Sequence, residues 1–419
     1  MEEKLIQYVW QLRLFSTSGL KTVDGDEVEV IDQGLLNTDS GPDFFNAKVK
    51  INDTVWVGNV EIHDVASDWF NHGHDKDKAY DSVVLHVVRV SDERVFRTNG
   101  EVIPQMVLQI PADIEMLYDV NKASKSWVPC ADRICHVDRF TMHSWLDSCL
   151  VQRMEAKTSR LSDILEKTGG DWPSVMYASI ARSLGFGVNS QAMENLATAT
   201  PMKYILKHKD DISQVAAMLL GQSALLSAEV VGDEALFSQL SRDYSFFQSK
   251  FGLTPLRREQ WKTGRMRPTN LPWVRIDQLA YIICNATHLI SKFVENPTLD
   301  FIRSELKGVK AVHFGDVKLG KASIDSIIIN AIVPILFIYG RSHTDSALEE
   351  RATAILQEMP AESNSIVEGW RSYGVDASSA FESQALIQLK REYCERKDCL
   401  RCRLFWSMRK GFAGKKEKS

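Results

Sequence analysis

The sequence lacks the features that mark membrane and secreted proteins. Its apolar runs fall short of the roughly 18 to 20 residues that a membrane-spanning helix needs, and its first five residues carry acidic side chains where a secretory signal has basic ones. Hydrophobic residues make up 44% of the chain and charged residues 25%, as is typical of a folded globular protein. We therefore expect a cytoplasmic protein with no membrane partner.

Cysteine is too sparse for a disulfide framework. The chain has 7 cysteines in 419 residues, an odd number, and the expected cytoplasmic location keeps thiols reduced. At this length the chain should contain more than one hydrophobic core, because single cores stop growing near about 250 to 300 residues. The sequence therefore predicts two domains, with free thiols or a metal-bound cysteine cluster.

Strand patterns occupy the first part of the chain and helical patterns the rest. The expected elements of the first part are a helix at 2–15, strands near 28–32, 43–51 and 55–62, a short helix within 64–81, and strands at 82–90, 94–97 and 105–110. The clearest helical stretches beyond it are 142–165, 172–184, 212–229, 276–294, 324–339, 346–357 and 379–393. We expect an α+β protein with a sheet domain at 1–112, a linker at 113–137, an all-helical domain at 138–393 and a basic tail with cysteines at 394–419.

The most specific pattern is an aspartate and a Glu-x-His sequence on neighbouring predicted strands. Asp43 enters one strand, the chain turns at Asn52-Asp53, and the second strand carries Glu61 and His63. Residues i and i+2 of a strand project from one face, so Glu61 and His63 project together. Antiparallel pairing brings Asp43 beside them, and two converging carboxylates favour a site for a hard divalent cation.

This motif resembles that of the PD-(D/E)xK nuclease superfamily, with Gly-Pro-Asp43 and Glu61-Ile62-His63 set in the order helix, three strands, helix, strand. The resemblance implies that Asp43, Glu61 and the Ile62 carbonyl bind Mg²⁺ or Mn²⁺, and that His63 orients or activates water. His63 stands where the superfamily usually has lysine, and a histidine of ordinary pKa ~6.5 is largely neutral at pH 7. The implied function is a metal-dependent nuclease acting on DNA or RNA. The alternative is a non-catalytic nucleic-acid-binding protein, or a structural protein with a zinc or iron–sulfur site at the C-terminal cysteines.

Histidines are concentrated around the motif. Four of the 10 histidines of the chain lie between residues 63 and 86. His72, His74 and His86 are suited to line a nuclease site, where they would contact a phosphate or a second ion. They are equally suited to bind zinc or another transition metal, or to form a hydrogen-bonded polar loop.

A cysteine cluster lies near the end of the chain, at Cys394, Cys399 and Cys402. Thiolates at this spacing bind Zn²⁺ or an iron–sulfur cluster, and both need a fourth ligand. Cys130 or Cys135, close to the predicted domain boundary, supplies it in this hypothesis, with Cys130 taken as the ligand. Some PD-(D/E)xK nucleases hold a 4Fe-4S cluster with one distant and three C-terminal cysteines, and this arrangement is similar. The alternative is a set of reduced, partly buried thiols.

A basic strip lies in the predicted helical domain. Residues 250–275 contain seven Lys or Arg and one acidic residue, although the net charge of the chain is -5. Such a strip attracts polyanions because screening limits charge interactions to about 8 to 10 Å. It is equally suited to an interdomain ion-pair seam or to a solvated face. The residues predicted to bind nucleic acid are Arg257, Arg258, Lys262, Arg265, Arg267 and Arg275.

Nearly the whole sequence is similar to an uncharacterised bacterial family, domain of unknown function 2851. This resemblance implies no activity of its own. The runs that carry it are Gly41-Pro-Asp-Phe, Val60-Glu-Ile-His, Leu85-His-Val-Val, residues 261–276 and Tyr393-Cys.

Overall fold

The computed structural model describes residues 3–37, 39–285 and 288–413. It confirms the α+β class, with an N-terminal sheet followed by a larger helical region.

The chain divides into two compact units. The first comprises residues 1–142 together with 390–419, and the second comprises residues 143–389. The stretch 113–137, which the sequence suggested as a linker, and the tail after residue 393 group with the unit that contains the sheet. Both the carboxylate motif and the cysteine cluster therefore belong to the first unit.

A six-stranded sheet forms the centre of the first unit. Its order is β1-β3-β4-β5-β6, with β2 paired to β3. The pairs β1–β3, β2–β3 and β3–β4 are antiparallel, whereas β4–β5 and β5–β6 are parallel. The strands are β1 Val28–Asp32, β2 Leu35–Leu36, β3 Phe44–Ile51, β4 Thr54–Val65, β5 Val83–Val90 and β6 Gln105–Val107.

A two-residue turn sets the register of β3 against β4. Ile51 pairs with Thr54, which leaves Asn52 and Asp53 as the loop, and Asn52 has a φ of 52°. Tight hairpin turns need such a positive φ, and asparagine tolerates it better than most residues. The turn predicted from the sequence therefore forms where expected.

The two central strands differ in burial along their length. β5 is buried at its first six residues, as expected for a parallel strand covered on both faces. β4 begins with exposed residues and becomes buried from Val60 to His63. The Glu-x-His sequence thus lies in the buried half of β4.

The α-helices that lie wholly within the described part of the first unit are Glu3–Gln11, Asp68–Asn71, Ala112–Ala123 and Arg403–Ala413. The first two contact β4, and the last two contact each other. The N-terminal helix is shorter than the predicted 2–15, because Arg13 adopts a left-handed φ of 52° that ends it. The strand predicted at 94–97 is only an isolated bridge between Phe96 and Val102. The strand predicted at 105–110 is limited to β6.

The second unit is helical, apart from the short antiparallel pair Lys310–Ala311 and Val317–Lys318. The stretch predicted as one helix at 212–229 is divided, because Ala224 has a φ of 60° and Ser227 caps a new helix. The α-helices in or entering this unit are Arg139–Lys167, Trp172–Leu184, Ser190–Ala199, Met202–Ile205, Ile212–Gln222, Ala228–Val231, Glu234–Phe251, Pro272–Asn285, Leu289–Glu295, Leu299–Lys307, Lys321–Ile327, Val333–Ser342, Ser346–Glu358, Ser365–Arg371 and Ala380–Gln388.

One continuous helical stretch of this unit, Lys321–Ser342, is long and apolar enough to cross a membrane by length and composition alone. It includes a π-helical segment at Ile328–Ile332. Within the unit, 61% of its most apolar window is buried, as in the core helix of a soluble protein. The burial of this stretch is therefore consistent with the expectation of a soluble protein.

Candidate functional site

Asp43 and Glu61 lie side by side at the start of β3 and the buried half of β4. The backbone N–H of Asp43 donates to Glu61 Oε2 at 3.0 Å, and the backbone N–H of Ile62 donates to Asp43 Oδ2 at 3.0 Å. Gln7, on the N-terminal helix, donates from Nε2 to Asp43 Oδ1 at 2.8 Å. Both carboxyl groups are therefore held in place by backbone and side-chain donors.

Burial makes these two carboxyl groups hard to ionise. Desolvation, followed by the charge of Glu61, raises the pKa of Asp43 to about 7. Desolvation raises the pKa of Glu61 to about 8, although the Asp43 N–H opposes the rise. Among the described residues, Glu61 forms ion-pair contacts only with imidazoles. A cation between the two carboxylates would stabilise their charged forms and so oppose both shifts.

Four histidines surround this acidic pair. His63 Nδ1 lies 2.8 Å from His86 Nε2, and His63 Nε2 lies 3.2 Å from His72 Nδ1. His63 Nε2 and His74 Nε2 lie 3.6 Å and 3.3 Å from Glu61 Oε1. One nitrogen from each of His63, His72 and His74 lies within 4.8 Å of the others, which is close enough for one metal ion.

The buried imidazoles of this group are neutral at pH 7. Desolvation and the neighbouring histidines lower the pKa of His63 to about 2, and desolvation lowers that of His86 to about 3. Burial also lowers the pKa of His74. Neutral imidazoles are metal ligands and proton acceptors, so His63 does not reproduce the positive charge of a lysine.

Two of these histidines still have buried nitrogens without a hydrogen bond. His74 Nε2 and His86 Nδ1 have no hydrogen-bond partner in the described part of the chain. Buried polar atoms are normally satisfied, and an unsatisfied one indicates an additional ligand, ion or water. His74 Nε2 faces Glu61, so a ligand bound to both atoms would satisfy it.

A short, anchored loop brings His72 and His74 to the site. Trp69 is fully buried, and its Nε1 donates to the Phe96 carbonyl at 3.1 Å. Gly73 then turns the chain with a φ of 76°, a conformation that favours glycine. The ring of Tyr80 stacks on His74 with centroids 3.7 Å apart. The loop is therefore built to fix the imidazole of His74 beside the acids.

The structure thus brings together the three residues of the predicted catalytic motif. His72 and His74 lie in one group with His63. His86 contacts His63 Nδ1, the ring nitrogen that does not contact Glu61. Ile62 contributes its N–H to Asp43, and the metal-ligand role of its carbonyl stays a prediction. Two carboxylates with imidazoles form a mixed oxygen and nitrogen ligand set, which suits Mn²⁺ or Zn²⁺ better than an oxygen-only Mg²⁺ site.

Sequence reasoning missed the contribution of the N-terminal helix to this site. Gln7 bonds to Asp43, and the charge of Glu3 acts on both Glu61 and His74. Burial raises the pKa of Glu3, and Asp43 adds to the rise. These two residues are spaced i and i+4, which places them on one face of a helix. The sequence did contain a signal for this contribution: two polar residues that share one face of a predicted helix, beside its apolar positions.

The cysteine cluster also comes together. Cys130, Cys394, Cys399 and Cys402 line one small cavity with Phe405 and Met408. Cys135 is exposed and does not line it.

The four clustered thiols favour their protonated form. Burial raises the pKa of Cys399 and Cys402 to about 12, and neighbouring thiols add to the rise. The pKa values of Cys130 and Cys394 are raised by burial as well.

The predicted nucleic-acid-binding residues separate into different places of the helical unit. Arg265, Arg267 and Arg275 line one pocket, whereas Arg258 lines another with Trp261. Trp261 is buried, and its Nε1 donates to the Ser223 carbonyl at 2.8 Å. Its ring is therefore unsuited to stacking on a nucleic-acid base. Arg257 and Lys262 are exposed.

The chain belongs to DUF2851, a protein family of unknown function, whose family model matches residues 3–365. The carboxylate motif, the histidine loop and Cys130 fall inside this match, and the three C-terminal cysteines fall outside it. Neither a curated protein nor a solved structure matches the chain.

Proposed function

We propose that this member of DUF2851 is a metal-dependent nuclease that hydrolyses phosphodiester bonds of DNA or RNA in the cytoplasm. The observation that carries the proposal is the pair formed by half-buried Asp43 and buried Glu61, held side by side with neutral imidazoles around them. Mg²⁺ or Mn²⁺ would be held by these two carboxylates, with the Ile62 carbonyl as a further ligand.

The arrangement of the elements supports a relation to the PD-(D/E)xK nucleases. The order helix, strands, helix, strand is present, and the motif lies on an antiparallel hairpin followed by a parallel strand. The resemblance to that superfamily rests on this order and on the motif, and it remains part of the proposal.

The residues of the site have distinct roles in the proposed reaction. A bound divalent cation would acidify water and neutralise charge that develops on the phosphodiester. While Nδ1 stays bonded to His86, His63 would orient the attacking water or accept its proton through Nε2, which would give up its 3.2 Å contact with His72. The nearby Glu61 carboxylate, 3.6 Å from that nitrogen, would stabilise the resulting imidazolium.

The distribution of charge along the chain supports nucleic acid as the proposed substrate. The first 112 residues carry ten Lys or Arg and nineteen Asp or Glu, so this region does not attract a polyanion by itself. The basic residues of the helical unit would supply that attraction. They are Arg257, Arg258, Lys262, Arg265, Arg267 and Arg275.

Cleavage assays with the full chain test the proposal. Single- and double-stranded DNA and RNA are incubated with Mg²⁺, Mn²⁺ or EDTA, and Asp43→Asn and Glu61→Gln are compared with the wild type. Both changes keep the side-chain shape and remove the charge, so we expect each to abolish cutting. Asp53→Asn, in the exposed hairpin turn, is the matched control and should cut normally. Cutting that persists in both site variants would contradict the assignment.

If no cutting is found, binding measurements with the same DNA and RNA substrates test the alternative that the chain binds nucleic acid but does not cut it. Salt-sensitive binding to DNA or RNA, with no cleavage under any metal, would favour that function. Such a result would leave the sheet unit without a catalytic role.

We further propose that the four clustered cysteines bind a structural metal group, either Zn²⁺ or a 4Fe-4S cluster. The specific observation is that these four thiols line one cavity, while Cys135 does not. One distant and three C-terminal cysteines form an arrangement similar to that of the PD-(D/E)xK nucleases that hold a 4Fe-4S cluster, and this similarity favours the iron–sulfur cluster.

Metal analysis of anaerobically purified protein tests this second proposal. We expect iron, sulfide and a brown colour in the wild type, and their loss in Cys130→Ser. Cys135→Ser is the matched control, because Cys135 is exposed and lies outside the cavity. Stoichiometric zinc in a colourless protein would select the other metal. Protein that contains neither metal would contradict the proposal.

A further inference from the structure

We propose that the helical unit binds a phosphate monoester in a pocket formed by Arg265, Arg267 and Arg275. The pocket lies entirely in the second unit. It uses three of the arginines proposed above to attract nucleic acid, but its test measures binding and does not require cleavage.

The charged residues among those that line the pocket are all basic. Its volume is about 320 Å³, which is at the lower end of the range for small-molecule sites and leaves room for an organic group beside the phosphate. No acidic residue is among the described residues that line it. The lining residues are Leu184, Gly185, Phe186, Val188, Asn189, Arg265, Met266, Arg267, Asn270, Pro272 and Arg275.

Arg275 is a buried cation that has no counter-ion among the described residues. It is 6% exposed, and its guanidinium donates to Gln278 Oε1 at 2.8 Å and to Asn270 Oδ1 at 2.5 Å, both neutral acceptors. Its Nε has no hydrogen-bond partner in the part of the chain that the structure describes. Burial lowers its pKa to about 10, so it remains charged at pH 7. Buried charges are normally paired, and a bound anion would supply the missing partner.

The aromatic ring of Phe186 lies against this guanidinium. The Arg275 Cζ atom lies 4.5 Å from the centroid of the ring. A guanidinium stacked on a ring keeps its edge available for hydrogen bonds, and a planar fork of donors matches phosphate oxygens.

Arg265 and Arg267 extend into solvent from a loop that is itself held in place. Asn189 is 3% exposed, and its side chain accepts from the Lys262 N–H at 2.8 Å and donates to the Lys262 carbonyl at 2.9 Å. Arg265 adopts a left-handed φ of 60°. Neither exposed arginine has an ion pair within the described ranges, so both are available to a ligand.

The helix Pro272–Asn285 adds to the positive potential. It has 14 residues and begins at the pocket, where Pro272 is part of the lining. The N-terminal end of a helix favours an anion.

The charge of the pocket selects the class of ligand. A phosphate monoester carries close to two negative charges at pH 7 and has three terminal oxygens, which can receive three guanidinium groups. The apolar side chains of Leu184, Val188 and Met266 would cover the organic part. Two sources carry this chemistry: a phosphorylated small molecule and the terminal phosphate of a nucleic-acid strand.

Calorimetric binding measurements on the full chain test the proposal with paired probes. Adenosine 5′-monophosphate is compared with adenosine, and a 5′-phosphorylated oligonucleotide with the same strand bearing a 5′-hydroxyl. We expect binding only of the phosphorylated member of at least one pair. Arg265→Gln and Arg267→Gln should each weaken it by roughly tenfold or more. Arg275→Lys, which keeps the charge but loses the planar fork, should weaken it as well.

Arg242→Gln serves as the matched control, because Arg242 is exposed on another helix of the same unit. It should leave the affinity unchanged. Binding of the monophosphate identifies a small-molecule ligand, and binding of the phosphorylated strand alone identifies a strand end. The proposal is overturned if phosphorylated and unphosphorylated probes bind alike, if neither phosphorylated probe binds, or if Arg242→Gln weakens binding as much as Arg267→Gln.

Discussion

Replacing Glu61 by glutamine should stabilise the metal-free protein at alkaline pH, although it removes a residue of the proposed site. Burial raises the pKa of Glu61 from 4.5 to about 8. Between these values the unfolded chain loses the proton that the folded chain retains. The free energy of unfolding of the wild type therefore falls as pH rises through this window.

The pKa shift sets the size of the effect. One pKa unit corresponds to about 1.4 kcal/mol, so the ionisation of Glu61 costs the folded state about 4 kcal/mol at pH 8 and less than about 1 kcal/mol at pH 5. Glutamine accepts the hydrogen bond from the Asp43 N–H without ionising. We expect Glu61→Gln to gain about 3 kcal/mol relative to wild type between pH 5 and pH 8.

Native-state hydrogen exchange of peptides from β4 and β5 measures this difference within the first unit. Wild type and Glu61→Gln are compared at each pH in EDTA and again with Mn²⁺, which should stabilise only the wild type. Glu29→Gln, an exposed substitution on β1, is the matched control and should change little at either pH. The reasoning would be refuted if Glu61→Gln were less stable than wild type at pH 8 in EDTA, or if Mn²⁺ protected both proteins equally.

Two further changes test how the site is held. Gln7→Ala removes the 2.8 Å hydrogen bond that keeps the pKa of Asp43 from rising further. Mn²⁺ binding, measured by electron paramagnetic resonance, should therefore require a higher pH in this variant. An unchanged pH profile would contradict this role of Gln7. Gly73→Ala introduces a side chain at a φ of 76°, which should cost about 1 kcal/mol and weaken Mn²⁺ binding through His74. Gly264→Ala, at a glycine with open space and no positive φ, should do neither.

The approach of Asp43 to Glu61 was predictable because it depends on local chemistry. The turn at Asn52 fixes the register of one hairpin, and the period of two along a strand fixes which side chains share a face. Nothing outside residues 43–63 was needed to place the acids together. The four-cysteine cavity was predicted with less precision, since both Cys130 and Cys135 had suitable spacing and only the burial of the fold separates them.

Features that depend on distant contacts were not predictable in the same way. Gln7 reaches Asp43 across 36 residues of chain, and an amphipathic pattern gives no indication of which strand a helix covers. The break at Ala224 depends on one left-handed residue that is not glycine, so it interrupts a helix without a sequence signal. The basic strip is continuous along the sequence, but in the structure Arg265, Arg267 and Arg275 line a pocket, next to a loop that Asn189 holds in place.

In the proposed relation to the PD-(D/E)xK nucleases, His63 stands where those enzymes usually have a lysine, and this difference changes the charge balance of the proposed site. A lysine beside two carboxylates would offset one of their charges, whereas His63, with a pKa lowered to about 2, offsets none. Asp43 and Glu61 then share an uncompensated charge of two units when both are ionised, and Glu3 adds further negative potential. A divalent cation balances this charge, and the neutral imidazoles can join the carboxylates as ligands. The substitution at position 63 should therefore increase the dependence of the site on a metal.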